Sequence, residues 1–228
     1  EMCIRDSDIR IDGAGKKVTR SDNCRVSDLS VSSDNLTFTY EAKSLPYPID
    51  TSYYDNEKHT QADALSVIPF MDEMNYEGLS VSGLSDGYYG LTIGGEFIGR
   101  FTARELERGI NMALLQNTPQ YKQAMKIRQM NEERWLKERK MREFYWVEYN
   151  LMRKTGMLWA CNEAAVDTLR KYRPHDIFLQ WNGALWLQYM HKGIREDCVN
   201  EQQDLVNQIY EQNKPIPLQI EIKKFTDL

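Results

Sequence analysis

Apolar and polar residues alternate with period two across most of the first hundred positions. Asp8-Ile-Arg-Ile-Asp-Gly13 and Lys16-Lys-Val18 predict a short hairpin, and Cys24–Val31 and Leu36–Tyr40 predict two strands turned at Ser33-Asp34-Asn35. Ser44–Ile49 holds two prolines, which exclude helix and most ladder pairing and leave an extended segment. Residues 50–63 are polar without a period and predict a surface loop. Ala64–Phe70 fits a strand or a short helix equally. Leu79–Leu84, Tyr88–Ile93 and Glu96–Phe101 predict three more strands, the first two joined as a hairpin.

At Thr102 the period changes. Thr102-Ala-Arg-Glu105 matches a capping box, and Leu106, Ile110, Ala113 and Leu114 follow at helical spacing. Thr118-Pro119 starts a second helix, with Thr as N-cap and Pro at the first helical position, where its missing N–H costs nothing. This helix is expected to run from 119 to about 153. It is densely charged, with Glu/Lys and Glu/Arg pairs at i,i+4 and a thin apolar stripe of Ala124, Ile127, Trp135, Met141 and Tyr145. Thr155-Gly156 breaks it. Further helices are expected at about 157–172, at about 176–191 (rich in Trp, Leu and Tyr, and so well buried) and at about 194–213. Ile216–Ile222 alternates again and predicts a last strand.

The fold class is therefore α+β, with an antiparallel β-rich N-terminal half packed on an α-helical C-terminal half. The regions fall at 8–101, 102–214 and an extended tail at 215–228. Phe101 runs straight into the cap at Thr102 with no linker, so the halves are expected to pack as one unit. Residues 1–7, EMCIRDS, have the character of translated sequencing-adapter read-through and are set apart from the fold. On that reading the natural protein continues upstream.

Composition narrows the chemistry. The chain has 228 residues, is 41% hydrophobic, and carries a formal charge of −5, which gives no general reason to bind nucleic acid or an anionic membrane. No apolar run approaches the roughly 18 residues of a membrane span. Cys3, Cys24, Cys161 and Cys198 show no CxxC spacing, and His59, His175 and His191 lie far apart, so no metal site is assigned. Glu132/Glu133 and Asp72/Glu73 are sequence neighbours and do not face each other on a helix. Gly94-Gly95 has neither the Lys nor the following helix of a phosphate loop, and no cofactor motif is present. Arg134, Lys137, Arg139, Lys140 and Arg142 cluster, but neighbouring glutamates blunt their field. Trp135, Tyr145, Trp146, Trp159, Trp181 and Trp186 fall at helical spacings, so packing is the first reading and a sugar-stacking platform the second.

One motif suggests catalysis. Gly83-Leu-Ser-Asp-Gly87 matches the G-x-S-x-G nucleophile elbow, with Ser85 as nucleophile. The elbow requires a strand before the serine and a helix after it. A strand precedes, but Tyr88–Ile93 predicts a second strand, so Ser85-Asp86-Gly87 is expected to be a hairpin turn and Ser85 no nucleophile.

The run from 79 to 124 resembles the region C-terminal to the catalytic domain in bacterial SGNH/GDSL-type hydrolases. The pattern is carried by Leu79, Val81, Gly83 and Leu84, then Gly87, Tyr89, Leu91, Ile93 and Gly95, then Glu105, Leu106, Gly109, Ile110, Asn111 and Ala113, then Thr118, Pro119, Gln123 and Ala124. The resemblance covers 23–145 and fades beyond. Gly94 departs from it, standing where an Asp is usual. In that family a GDS motif supplies the nucleophile and an Asp-x-x-His supplies orienter and base. This sequence has neither: Asp55 lies four residues before His59, one too many. The resemblance thus implies an accessory C-terminal region whose partner is a missing N-terminal catalytic domain of the same protein. The parent would hydrolyse carboxylic esters, such as acyl groups on carbohydrate, and would be secreted or periplasmic. No catalytic residue is carried over, and no substrate-binding residue is assigned. The alternative is a free-standing glycan- or protein-binding module.

Overall fold

The computed structural model describes residues 7–51 and 60–225. His59, Asp55 and Cys3 lie outside the described residues. The chain forms two compact units, residues 1–128 with 212–228, and residues 129–211. The division falls inside the long helix rather than at the change of period near Thr102. Residues 102–118 return to the sheets, and the C-terminal tail supplies a central strand.

The first unit is built on two sheets. β1 (Ser7–Asp12), β2 (Lys17–Asp22), β5 (Glu77–Ser82) and β8 (Ile110–Asn111) form one, in the order β2-β1-β5-β8. β3 (Cys24–Val31), β4 (Asn35–Ala42), β6 (Tyr88–Ile93), β7 (Glu96–Thr102) and β9 (Leu218–Lys224) form the other, in the order β3-β4-β9-β6-β7. Alternation decides the burial. Ile9, Ile11, Leu79 and Val81 of the first sheet share one apolar core with Leu36, Phe38, Tyr40, Tyr89, Leu91, Ile93, Ile220 and Ile222 of the second. Every pairing is antiparallel except β1 with β5, which is parallel.

Four expectations are corrected here. Ser7, set apart with the first residues, opens β1, is buried, and its N–H donates to the carbonyl of Tyr76. The strands at 79–84 and 88–93 are not a hairpin, because β5 and β6 belong to different sheets and Ser85-Asp86-Gly87 carries the chain between them. The segment 64–70 is neither a strand nor a single helix: a 3₁₀ turn covers Gln61–Ser66 and a one-turn helix, α1, covers Phe70–Glu73. The helix capped by Thr102, α2 (Ala103–Arg108), is only six residues long. Its capping box forms as expected, with Glu105 N–H donating to Thr102 Oγ1 at 3.2 Å and Thr102 N–H donating to Glu105 Oε2 at 2.6 Å. Gly109, at φ 93°, then turns the chain out of the helix, so that Ile110-Asn111 pairs with β5 instead of extending the apolar face.

α3 (Pro119–Val147) begins where expected, with Tyr121 N–H donating to Thr118 Oγ1. The second unit continues with a π turn (Glu148–Met152), α4 (Glu163–Tyr172), α5 (Ile177–Tyr189) and α6 (Lys192–Gln212). Its core joins Met141, Phe144, Val147, Leu169, Leu179 and Trp186 with their neighbours. α4 starts six residues later than its pattern suggests, at the Asn162 cap, whose Oδ1 accepts from Ala165 N–H. α5 is less buried than its composition implies, since Ile177, Phe178 and Trp181 face solvent. The expected stripe of α3 also shifts: Trp135 is exposed, and Phe144 and Val147 take the buried positions. Among the described residues, no helix is long and apolar enough to cross a membrane.

Candidate ligand pocket

The segments that pattern reading left vague line a pocket. Residues 47–49, the 3₁₀ turn, α1 and the residues flanking them line an open pocket of about 420 Å³, within the range of sites that take small organic molecules. Its walls are mostly apolar, with Ile49, Leu65, Ile68, Phe70 and Met74 among them. Tyr47 and Phe70 meet edge to face, with centroids 5.6 Å apart. Polar groups are few. Gln61 donates from Nε2 to the Tyr47 hydroxyl at 3.3 Å and accepts from Asp50 N–H at 3.0 Å. Two proline-flanked residues, Tyr47 and Ile49, supply side chains from a backbone that cannot join a sheet.

A buried asparagine, a half-buried one and a glutamate fix this wall from behind. Asn75 accepts from Tyr47 N–H at 2.8 Å and donates to the Tyr47 carbonyl at 3.0 Å. Asn111 accepts at Oδ1 from Glu77 N–H and Ala113 N–H, and donates from Nδ2 to the carbonyls of Met71 and Asn75. The Asn of the family-like Gly109-Ile-Asn111 run therefore bonds to four backbone groups on three segments. Asn111→Ala would leave those groups unpaired, and should lower stability by about 2 kcal/mol in urea denaturation. A loss under about 0.5 kcal/mol would contradict this role.

Glu77, next in the network, is buried at the head of β5. The Tyr40 hydroxyl donates to its Oε1 at 3.2 Å, and Ser7 Oγ lies 2.9 Å from the same hydroxyl. The side chain of the buried Gln120 lies close enough to Glu77 to favour its charged form. Burial pushes the Glu77 carboxyl up to about 7, against the smaller opposing pull of Tyr40 and nearby Gln120. Burial, with Glu77 beside it, also pushes the Tyr40 phenol far above its ordinary range. Tyr40 is therefore held neutral around physiological pH, while Glu77 changes charge close to it. Sequence reading passed over Glu77, although it shares the inward parity of Leu79 and Val81.

The residues singled out from the sequence are scattered. Ser85 accepts from Lys224 Nζ at 2.7 Å and lies 3.1 Å from the Tyr89 hydroxyl, with a strand rather than a helix following Gly87. Gly94 and Gly95, at φ 59° and 84°, make the β6–β7 turn. Asp72 and Glu73 are exposed on α1. On α3, Arg134 pairs with Glu138, Arg139 with Glu143, and Lys137 with Glu133 and Glu201. His175 sits in a 3₁₀ turn, and His191 Nδ1 lies 3.0 Å from Cys161 Sγ. Cys24 and Cys198 are buried. Among the described residues, no three His, Cys, Asp or Glu side chains gather as a metal site. Of the aromatics, Trp186 is fully buried and Trp146 packs against the core, while Trp135, Tyr145, Trp159 and Trp181 are exposed.

The second unit has its own buried carboxyl. Glu148 opens the π turn, accepts from Trp186 Nε1 at 2.8 Å on one oxygen, and accepts from Trp159 N–H at 2.9 Å on the other. That second bond anchors Trp159 in a left-handed conformation, φ 62°, rare for a bulky residue.

Comparison with known proteins agrees with this division. Residues 125–214 match the model of a family described as the diltiazem deacetylase C-terminal helical domain. A solved structure described as a gut microbial diltiazem-metabolizing enzyme superposes with a TM-score of 0.89 at 34% identity, over 97% of this chain and 50% of its own. The chain thus spans about half the length of that enzyme. No curated protein matches. Residues 125–214 thus resemble a diltiazem deacetylase C-terminal helical domain, and nearly the whole chain shares the fold of half of the diltiazem-metabolizing enzyme.

Proposed function

We propose that the chain is the accessory C-terminal part of an SGNH/GDSL-type serine esterase and is not catalytic by itself. The carrying observation is the likeness, over 97% of this chain, to half of an enzyme that metabolizes diltiazem. The absence of GDS and Asp-x-x-His from this sequence is consistent with the same reading. The parent cleaves a carboxylic ester through an acyl-enzyme whose serine lies outside this chain. The pocket at Tyr47 and Phe70 receives the body of the ester. Its apolar walls suit an aromatic or aliphatic alcohol, and the Tyr47 hydroxyl and Gln61 amide allow an acylated sugar. The chain alone should hydrolyse p-nitrophenyl acetate no faster than buffer and take no label from a serine-directed fluorophosphonate. Hydrolysis by the chain, abolished by that inhibitor, would overturn the reading.

Exposed aromatics favour a second reading, a glycan-binding module. Trp181 is 65% exposed and meets Phe178 edge to face at 5.6 Å, as a sugar-stacking platform would. Micromolar oligosaccharide binding lost on Trp181→Ala would favour it.

A further inference from the structure

The helical unit holds one chemically active pair that the esterase reading does not use. Cys161 Sγ lies 3.0 Å from His191 Nδ1, and both residues are exposed. The contact joins the segment before α4 to the residue before α6, thirty positions apart, so it is set by the fold and not by sequence proximity. His191 is the last residue before the 21-residue α6, and its carbonyl accepts from Arg195 N–H at 3.4 Å. The imidazole therefore stands at the N-terminus of α6. Arg195, on the first turn of the same helix, is engaged elsewhere: its guanidinium donates to the carbonyls of Tyr189 and Met190 and lies 4.8 Å from the Phe144 ring. Glu163, two residues beyond Cys161, pairs with Arg170, and Glu196, on the first turns of α6, pairs with Lys192.

A nucleophile and a base within hydrogen-bond reach are two of the three parts of a catalytic triad. The third part is missing: among the described residues, no carboxylate or amide hydrogen-bonds the other imidazole nitrogen, Nε2. The pair thus lacks the orienter that acyl transfer uses, and its open position suits simple exchange chemistry.

We propose that Cys161, activated by His191, is a site of thiol–disulfide exchange with low-molecular-weight disulfides. The Cys161 thiol gives its proton to His191 Nδ1, and Sγ attacks one sulfur of R–S–S–R. The S–S bond breaks, a Cys161–S–S–R mixed disulfide forms, and the departing thiolate takes the proton from His191. The sum is one thiol and one disulfide giving one mixed disulfide and one thiol, with the small disulfide as oxidant.

The molecule supplies internal controls in Cys24 and Cys198, both buried. The intact chain is treated with oxidised glutathione at pH 7, and each cysteine's modification is timed by peptide mass mapping. Cys161 should react about tenfold faster than the same residue in the urea-unfolded chain. His191→Gln, at an exposed position that should not disturb folding, should remove that advantage at pH 7. At pH 10, where a thiol ionises without help, the variant should match the parent. A Cys161 rate equal to the unfolded value, or one unchanged in His191→Gln, would overturn the proposal. Circular dichroism of the variant separates loss of the fold from loss of the base.

Discussion

Trp186→Ala should lower the stability of the helical unit by about 4 kcal/mol, the largest single-residue loss expected in this chain. Trp186 is fully buried in a core with Phe144, Leu169 and Leu179. Truncation removes its packing and opens a cavity that these neighbours cannot all reach. It also strips the indole N–H from Glu148 Oε1, leaving one oxygen of a buried carboxyl with neither protein partner nor bulk water. Trp186→Phe separates the terms. It keeps most of the packing and loses the hydrogen bond, and should cost about 2 kcal/mol. Urea denaturation followed by the far-ultraviolet helical signal gives both values. A Trp186→Ala loss under about 1 kcal/mol would show that Trp186 does not anchor this core.

The second large effect depends on pH. Glu77 is raised from an ordinary carboxyl value of 4.5 to about 7 in the folded chain, with burial as the main cause. Below about 4.5 it is protonated folded or unfolded, and contributes no pH dependence. Between about 4.5 and about 7 the unfolded chain releases the proton while the folded chain keeps it, so stability falls as pH rises. Above about 7 both states are ionised and the contribution levels off. The full swing is on the order of 3 kcal/mol. Glu77→Gln keeps the size and abolishes the charge. It should flatten this part of the stability–pH curve and make the variant more stable than the parent at pH 8, by up to that amount. Tyr40, Ser7, Gln120 and Asn111 are the polar residues facing or bracing Glu77, and the Tyr40 phenol is pushed too high to titrate in this window. An unchanged slope in Glu77→Gln would mean that another group carries the dependence.

Much of the architecture follows from local pattern. Leu36, Phe38 and Tyr40, and Leu218, Ile220 and Ile222, are inward because period two puts them there, and Thr118-Pro119 starts α3 because the cap and the proline suit those positions. What pattern does not contain is partnership. Nothing local in Ile216–Ile222 says that the tail strand lies at the centre of a sheet, between β4 and β6. The helix after Thr102 fails at Gly109 because pairing with β5 and the Asn111 bonds outweigh the helical spacing of Ile110 and Ala113. The 3₁₀ turn and α1 are ambiguous in the sequence because they have little internal structure: Asn111 holds α1 at the Met71 carbonyl, and Gln61 ties the 3₁₀ turn to Asp50 and Tyr47.

The candidate site was less legible than the fold. Its pocket is assembled from prolines, a short turn and one helical turn, none of which carries a motif. Two signals were nevertheless available. Glu77 sits in phase with Leu79 and Val81, and Glu148 lies four residues beyond Phe144 and four before Met152, on the buried face of its helix. A charged residue at an inward position marks either a partner or a shifted protonation state, and these two show one each. The matched pair Cys161 and His191 had no signal at all, since a 30-residue separation says nothing before the fold is known.

The central claim is that this chain is the non-catalytic part of a serine esterase, and the coding DNA upstream of the Asp8 codon tests it most directly. The account predicts an open frame encoding a GDS block, followed by an Asp-x-x-His block shortly before this chain. An in-frame stop followed by a start codon just upstream would contradict it, and would leave the glycan-binding reading as the better account of the exposed Trp181 face.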